Sequence, residues 1–298
     1  MSGFNWNDLR YFLDVARTGK LVVSAKRLRA DHTTVSRRIA ALEEALNVTL
    51  FDRRPDGFTL TAEGERLRSV AEEMERAAIA AQGLVGDADR AMSGTVRIGA
   101  PDGFGSLFLA AHIGRLCDRH PELEVQLVAT PRVFSLSKRE ADIAISLSRP
   151  TEGRLVVRKL TDYHLRLYAS SDYLAAQAPI RTRADLPGHR FIGYIDDLIF
   201  TPELDYIAAL GDITPRLKSS NLIAQLKATQ AGAGLCILPR FIADRDPTLV
   251  PVLGKDITVT RSFWLIVHED LRALARVATT ADFIAETVAR RQGEFLPD

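Results

Sequence analysis

Apolar residues recur at helical spacing near the start of the chain, in two short segments separated by a break at residues 29–31. Two such segments predict two helices joined by a tight turn. In the second segment, Val35, Ile39 and Leu42 fall on one face, so we expect them in a core. Asp31 stands directly before this segment and is typical of a helix N-cap. The pattern therefore indicates a helix-turn-helix.

The other face of the second predicted helix carries short polar side chains and one guanidinium. Residues 17–38 also hold seven Lys or Arg against one acidic residue. A basic helix pair with such side chains suits the major groove of double-stranded DNA. The candidate DNA-reading residues of this helix are His32, Thr33, Thr34, Ser36 and Arg37. The alternative is a solvated helical surface, which is what most runs of charge are.

A strand, a turn and a second strand are predicted over residues 50–61, with Arg53 and Arg54 near the turn. Such a hairpin would form a wing beside the helix-turn-helix. Its two arginines would reach phosphates or a narrow minor groove, and would add affinity that depends little on base sequence. The hairpin therefore favours DNA binding over the solvated-surface alternative.

A set of positions between residues 9 and 64 forms a specific pattern. The positions are Leu9, Arg10, Tyr11, Phe12, Gly19, Ser24, Ala25, Leu28, Val35, Ser36, Arg37, Ile39, Leu42, Glu43, Leu46, Leu50, Phe51, Arg53, Leu60, Thr61 and Gly64. With these residues the segment resembles the LysR-type transcriptional regulators, and the rest of the chain fits that family's length and layout more loosely. The resemblance implies a winged helix-turn-helix, a linker helix that dimerises, and an effector-binding domain of two lobes, similar to a periplasmic binding protein.

Two positions depart from the family's usual pattern. Lys20 stands where the family usually has a Ser that caps the first helix of the pair, so we expect a weaker helix start. His32 stands where the recognition helix often opens with Gln. We therefore expect a different operator preference, and a base contact by His32 would depend on its protonation.

Residues 61–92 lack proline and are rich in Ala, Glu and Arg, which predicts one long helix. Apolar residues alternate steps of four and three along it, as in a coiled-coil seam. The seam consists of Leu67, Ala71, Met74, Ala78, Ala81 and Val85. We expect it to pair two chains, giving a homodimer or homotetramer that matches a two-fold related DNA site. The alternative is that the seam packs against the chain's own effector domain.

After Gly94, strand-like and helix-like segments alternate. Strands are predicted at residues 95–100, 123–129, 142–147, 155–160, 164–169, 190–195, 216–219, 235–238 and 263–267, and helices at 107–119, 222–231 and 271–290. Repeated units of this kind predict an α/β domain with a mostly parallel sheet, arranged as two lobes around a cleft. We therefore expect a winged helix-turn-helix domain at 1–60, a linker and dimerisation helix at 61–92, and an effector-binding domain at 93–298.

Ligands of α/β sheets bind beyond the C-terminal ends of strands, where helix N-termini offer free N–H groups. Residues 100–106, 146–149 and 219–221 lie at such places. The candidate effector-binding residues are Pro101, Phe104, Ser106, Thr130, Ser146, Arg149, Tyr194, Phe200, Thr201, Ser219 and Asn221. Ser106 and Arg149 would bind an anion, so a small carboxylate fits as the effector. The alternative role of the Ser and Asn residues is helix capping.

Charge and hydropathy change the picture in two ways. The net charge is only +1, but residues 1–60 hold ten Lys or Arg and seven Asp or Glu, so basic character lies where DNA would bind. The N-terminal residues contain no apolar signal core, and no stretch reaches the roughly 18 apolar residues of a membrane span. We therefore expect a cytoplasmic protein without a membrane segment.

Catalytic or metal chemistry has no recognisable residue set in the sequence. The six His are scattered, and Cys117 with His120 is too small a set for a closed metal site. We expect no enzyme activity, no metal and no cofactor. The remaining alternative is redox sensing by Cys117 and Cys236, although both lie in apolar patterns typical of buried thiols. The sequence therefore predicts a ligand-responsive transcription regulator, acting as activator, repressor or both.

Overall fold

The chain folds as two units, one that ends before residue 88 and one that follows it. The computed structural model describes residues 5–55, 57–84, 92–136, 140–211, 213–254 and 256–296. Each unit buries apolar residues of its own.

The N-terminal unit contains the predicted helix pair and hairpin. Its elements are α1 (Trp6–Thr18), α2 (Leu21–Leu28), α3 (His32–Leu46), β1 (Phe51–Arg54), β2 (Gly57–Leu60) and α4 (Ala62–Leu84). Arg29 ends α2 in the left-handed region, with a φ of 51°, which lets α3 turn away at once. Asp31 caps α3 as predicted, and accepts a hydrogen bond from the Thr33 amide at 2.8 Å. Lys20 makes no side-chain cap on α2, also as predicted.

The hairpin is fixed to the end of α1 by backbone contacts. The Phe58 amide donates to the Gly19 carbonyl at 2.8 Å. A Cβ at Gly57 would lie 2.3 Å from that carbonyl oxygen, so only glycine allows this approach. Phe51 packs on Phe12, with ring centroids 5.3 Å apart and both side chains buried. The wing is therefore an extension of the helical core.

The first part of the predicted linker seam packs within the N-terminal unit. Leu67, Ala71 and Met74 pack on the core of α1, α3 and the hairpin, and Ala71 is only 1 % exposed. Leu67 and Met74 are half-buried by this packing, because α4 starts directly after β2 and its first turns lie over the helix-turn-helix. The pairing of two chains through this seam stays a prediction. Ala78 is exposed. Val85 lies outside the described residues.

Gly64 in α4 offers a test of this packing. A Cβ there would lie 2.2 Å from the Leu50 carbonyl oxygen. Alanine is favoured in helices by about 1 kcal/mol over glycine. Even so, Gly64→Ala is expected to destabilise the N-terminal unit by about 1–3 kcal/mol, because the backbone must shift. Chemical denaturation of the full-length protein measures the effect.

Gly114→Ala is the matched control for that experiment. Gly114 is also helical, and a Cβ there meets no atom within 4 Å. This substitution should therefore raise stability by the helix propensity alone. A gain in stability from Gly64→Ala as well would contradict the close approach of α4 to Leu50.

The C-terminal unit is built around one mixed sheet. Its strands are β3 (Gly94–Ala100), β4 (Leu123–Ala129), β5 (Ile143–Ser146), β6 (Leu155–Ser170), β7 (Phe191–Gly193), β8 (Leu217–Lys218), β9 (Leu235–Pro239), β10 (Leu249–Val252) and β11 (Thr258–His268). Its helices are α5 (Asp102–Phe104), which continues through a π-helical turn (Gly105–Leu109) into α6 (Ala110–Arg119), then α7 (Ser171–Ala175), α8 (Leu222–Gln230), α9 (Arg240–Ala243), α10 (Ala275–Arg290) and α11 (Gln292–Phe295). Short 3-10 turns occupy Arg183–Gly188, Asp196–Leu198, Pro202–Leu204, Ile207–Leu210 and Glu269–Leu271.

The expectation of a mostly parallel sheet is wrong. Among the described strands four pairings are parallel and four are antiparallel. The strand order is β4-β3-β5-β11-β6-β9-β7-β8, and β10 pairs with β6. The difference arises because the strands predicted at 155–160 and 164–169 are one strand, β6, which pairs antiparallel with β11 along most of its length.

Two lobes follow from this order, as expected. Lobe A contains β3, β4 and β5, with α6 and α10 packed on β4 and β3. Lobe B contains β7, β8, β9 and β10, with α8 packed on β7 and β9. The strands β6 and β11 pass through both lobes, and their register shifts between Phe263 and Trp264.

Among the described residues, none of the helices has the length and apolar composition of a membrane-spanning segment.

Candidate nucleic-acid interface and ligand site

The solvent face of α3 presents most of the predicted DNA-reading residues. His32, Thr33 and Arg37 are exposed, while Thr34 and Ser36 are half-buried. On the opposite face Val35, Ile39 and Leu42 are no more than 3 % exposed, which fixes the orientation of the helix. The face therefore has the size and polarity of a groove-reading surface.

The N-cap of α3 engages one of these residues. The Thr33 hydroxyl donates a hydrogen bond to the Asp31 carboxylate at 2.7 Å, and the Thr33 amide donates a second one to the same group. These two hydrogen bonds from Thr33 lower the pKa of Asp31. Thr33 therefore holds the start of the helix, and His32 and Arg37 remain on the exposed face.

Neighbouring arginines in this unit have different roles. Arg37 is exposed, and no described residue forms an ion pair with it. Arg38 bonds to the buried Asp8 carboxylate at 3.2 Å and lies over the Tyr11 ring at 5.9 Å. Arg38 is thus held by the core, whereas the guanidinium of Arg37 faces solvent.

The wing places two further cations in solvent. Arg53 and Arg54 are both exposed, and Arg54 lies opposite Gly57 next to the turn. The Arg53 guanidinium lies 5.9 Å from the Phe58 ring centroid, within the range of a cation–π contact. These positions fit contacts to DNA backbone phosphates.

Six of the predicted effector residues line two narrow cavities at the junction of the lobes. One cavity, of about 20 Å³, contains Pro101, Phe104, Tyr194 and Phe200 in its wall. The other has the same volume and is lined in part by Pro101, Ser146, Phe200 and Thr201. Each holds about one water molecule. Aromatic side chains close the junction. The ring centroids of Phe104 and Phe263 are 4.6 Å apart.

Two other predicted effector residues are helix-capping groups. The Asn221 side chain accepts from the Ala224 amide at 3.0 Å, and the Ser219 hydroxyl accepts from the Asn221 amide at 3.1 Å. Both therefore stabilise the start of α8, which is the capping alternative considered above. Neither is among the residues that line the two junction cavities.

The remaining three predicted effector residues also lie outside those cavities. Ser106 is exposed in the π-helical turn. The exposed Arg149 lies over the Trp264 ring at 5.7 Å, so its guanidinium already has an aromatic partner. The Thr130 hydroxyl is buried without a hydrogen-bond partner among the described residues.

Sequence reasoning missed the charged group at the junction, Asp102. Its side chain is 6 % exposed, and it accepts a hydrogen bond from the Leu222 amide at 2.7 Å. Burial raises the pKa of Asp102, against the opposing effect of the N–H groups of Leu222, Gly103 and Ile223. The signal in the sequence is an Asp directly after the strand end at Ala100-Pro101, in the same segment as the candidates Phe104 and Ser106.

A larger chamber of about 170 Å³ lies in lobe B, next to the junction. Tyr194 and Tyr206 border both spaces. The chamber wall is mixed, with aliphatic and aromatic side chains beside polar ones, and its charged members are Asp196, Asp205 and Lys218. Lys218 pairs with Asp196 at 2.6 Å, which leaves Asp205 as the charge without an opposite partner in the wall.

Of the two free thiols, Cys236 is buried, and burial raises its pKa to about 12. A thiol reacts as its thiolate, so the environment of Cys236 opposes its oxidation. Cys117 is half-buried, so the expectation of a buried thiol is wrong for this residue. Among the described residues, no group of three or more His, Cys, Asp or Glu could hold a metal ion.

Comparison with known proteins gives matches over both units. The family described as bacterial regulatory helix-turn-helix protein, lysR family, matches residues 6–65, and the LysR substrate binding domain matches residues 89–289. The HTH-type transcriptional regulator CrgA of Neisseria meningitidis serogroup C is 25% identical over 288 residues, which cover 95% of this chain and 96% of CrgA. The Mau operon transcriptional activator of Paracoccus denitrificans is 28% identical over 297 residues, 96% and 98% of the two chains.

A solved structure extends the likeness to the whole fold. A full-length OxyR variant from Pseudomonas aeruginosa has a TM-score of 0.69 over 96% of this chain and 98% of that chain. At 17% sequence identity, this likeness concerns the fold alone.

Proposed function

Since this chain belongs to the LysR family of DNA-binding transcriptional regulators, we propose that it is a ligand-responsive member that reads its operator with the exposed face of α3. The observation that carries the proposal is the exposed Arg37 on a capped helix whose other face is locked in a core. Operator contacts come from His32, Thr33, Thr34, Ser36 and Arg37, and backbone contacts from Arg53 and Arg54.

We assign a separate role to each part of the chain. Residues 1–60 bind DNA, 61–92 link and pair the chains as a homodimer or homotetramer, and 93–298 bind the effector. The family matches to residues 6–65 and 89–289 support these limits. Because Ala71 is buried and the half-buried Leu67 and Met74 pack against the core of the N-terminal unit, we place the pairing surface of the linker on the other faces of α4.

The effector acts at the junction of the lobes and the chamber beside it. Six of the predicted residues line these spaces: Pro101, Phe104, Ser146, Tyr194, Phe200 and Thr201. A ligand shifts the protein between conformations only if it binds one of them more tightly. The effect of the effector on DNA affinity therefore cannot exceed the difference between its binding free energies for the two conformations.

Selection of operators from random DNA duplexes tests the proposed function. Full-length protein should enrich one sequence pattern with two-fold symmetry, since each of two recognition helices reads one half-site. Binding to the enriched duplex is then titrated against the unselected library at physiological ionic strength. Equal affinity for the two DNA pools would refute operator reading by α3.

A further inference from the structure

Asp102 lies where the two lobes meet, and it joins them. The residue opens α5 in lobe A, at the C-terminal end of β3. Its carboxylate accepts the Leu222 amide of α8, in lobe B, at 2.7 Å. The contact is close, since a Cβ on the adjacent Gly103 would lie 2.4 Å from the Leu222 side chain. One carboxylate therefore bridges the lobes through a backbone N–H.

The start of α8 is the natural anion site of this junction. The first N–H groups of a helix have no partner within the helix, and the helix dipole favours negative charge there. Such a position suits a bound anion such as a phosphate or a carboxylate. Here the Leu222 amide is taken by Asp102, and the Ala224 amide by the Asn221 cap.

The junction also lacks room for a second anion. The cavity that contains Asp102, Phe104 and Leu222 in its wall holds about 20 Å³, the space of about one water molecule. A ligand carboxylate placed there would meet the Asp102 carboxylate in a buried setting, where repulsion between like charges is strong. Both volume and charge therefore exclude it.

We propose that Asp102 is a built-in ligand of the lobe junction: its carboxylate occupies the anion subsite at the start of α8, so the effector of this regulator carries no carboxylate at that subsite. The inference rests on the proposed function and replaces the small carboxylate expected from Ser106 and Arg149 with an uncharged or cationic molecule. The lobe B chamber suits such a ligand. Its volume of about 170 Å³ is close to that of a cavity that binds one benzene ring, and its unpaired charge is Asp205.

Chemical rescue by formate tests the built-in ligand. Asp102→Ala removes the carboxylate and leaves the α8 N–H groups unsatisfied, so Tm should fall by a few degrees. Formate has the size and charge of the missing group. It should raise the Tm of Asp102→Ala in a saturable manner and shift the Leu222 amide resonance in leucine-selective NMR. Formamide, which has no charge, should do neither.

Two matched proteins complete the experiment. Asp172→Ala removes an exposed Asp from α7 and should respond to formate no more than the wild type does. The wild type should show no saturable response to formate or acetate, because its subsite is filled. A saturable response of the wild type, with a shift of the Leu222 amide, would overturn the proposal. So would a folded Asp102→Ala protein that responds no more than Asp172→Ala.

The outcome does not depend on DNA binding. If Asp102→Ala does not fold, Asp102→Ser is measured in its place, and the wild-type arm alone can still refute the proposal. Formate binding by the wild type would end the inference while leaving operator selection intact. Loss of operator selection with intact rescue would refute the proposed function instead.

Discussion

Replacing Arg37 with alanine is expected to weaken binding to the selected operator by about 1–3 kcal/mol for each recognition helix, with no loss of fold. The guanidinium is exposed on α3 and no described residue pairs with it, so its removal leaves no buried group unsatisfied. Arginine reads guanine bidentately in the major groove, and its loss should also relax the preference at one base position of each half-site. Titration of matched operator variants measures both effects.

Two other arginines serve as controls for Arg37. Arg66→Ala removes an exposed side chain of α4 that pairs only at the surface, with Glu63 at 3.1 Å, so operator affinity should stay unchanged. Arg54→Ala should weaken the binding of all DNA sequences about equally and reduce the salt dependence of binding, as expected for a phosphate contact. Unchanged affinity and specificity in Arg37→Ala would remove this residue from the reading surface.

Glu75→Ala is expected to destabilise the N-terminal unit by about 3 kcal/mol, since it leaves a buried arginine without its partner. The Arg17 side chain is 10% exposed, and it donates to the two Glu75 carboxylate oxygens at 3.0 and 2.6 Å. This ion pair ties α4 to the end of α1. Chemical denaturation, followed by a probe in the N-terminal unit, gives the change in the free energy of unfolding.

The double variant Arg17→Met with Glu75→Met separates the ion pair from the packing. Replacing both charges by apolar groups of similar length removes the uncompensated buried charge, so most of the lost stability should return. If the double variant were less stable than Glu75→Ala, the pair itself would be a net source of stability. A loss below about 0.5 kcal/mol in Glu75→Ala would place Arg17 in solvent instead.

Local signals allowed the N-terminal unit to be predicted closely. The Asp31 cap, the break at residues 29–31 and the spacing of Val35, Ile39 and Leu42 are all encoded within a few residues, and the structure has α3 at His32–Leu46. The topology of the sheet was harder to predict, because strand pairing joins residues that are far apart in sequence. β6 was split in the prediction where polar residues interrupt its apolar pattern near Thr161, a buried residue that pairs with Phe263.

The ligand site depended on where one helix begins. The sequence pattern predicted a helix from residue 107, which placed Ser106 at its start. The helical segment begins at Asp102, five residues earlier, so Asp102 faces the junction and Ser106 faces solvent. Ser106 therefore lies more than one turn inside the helical segment and is not the residue that precedes its first turn. Periodicity alone cannot fix it, because helix boundaries are the least certain part of a sequence pattern.

The two strands that pass through both lobes determine how the C-terminal unit can deform. A continuous ladder of interstrand hydrogen bonds resists opening, so the lobes cannot part as rigid halves joined by a loose tether. The register of this β6–β11 pairing shifts at one place, between Phe263 and Trp264. A bulge in a strand increases its local twist, so the two strands are more twisted at this point than a regular ladder would be. The effector site therefore lies between lobes that share two backbone strands, and a change at one lobe must pass along those strands to the other.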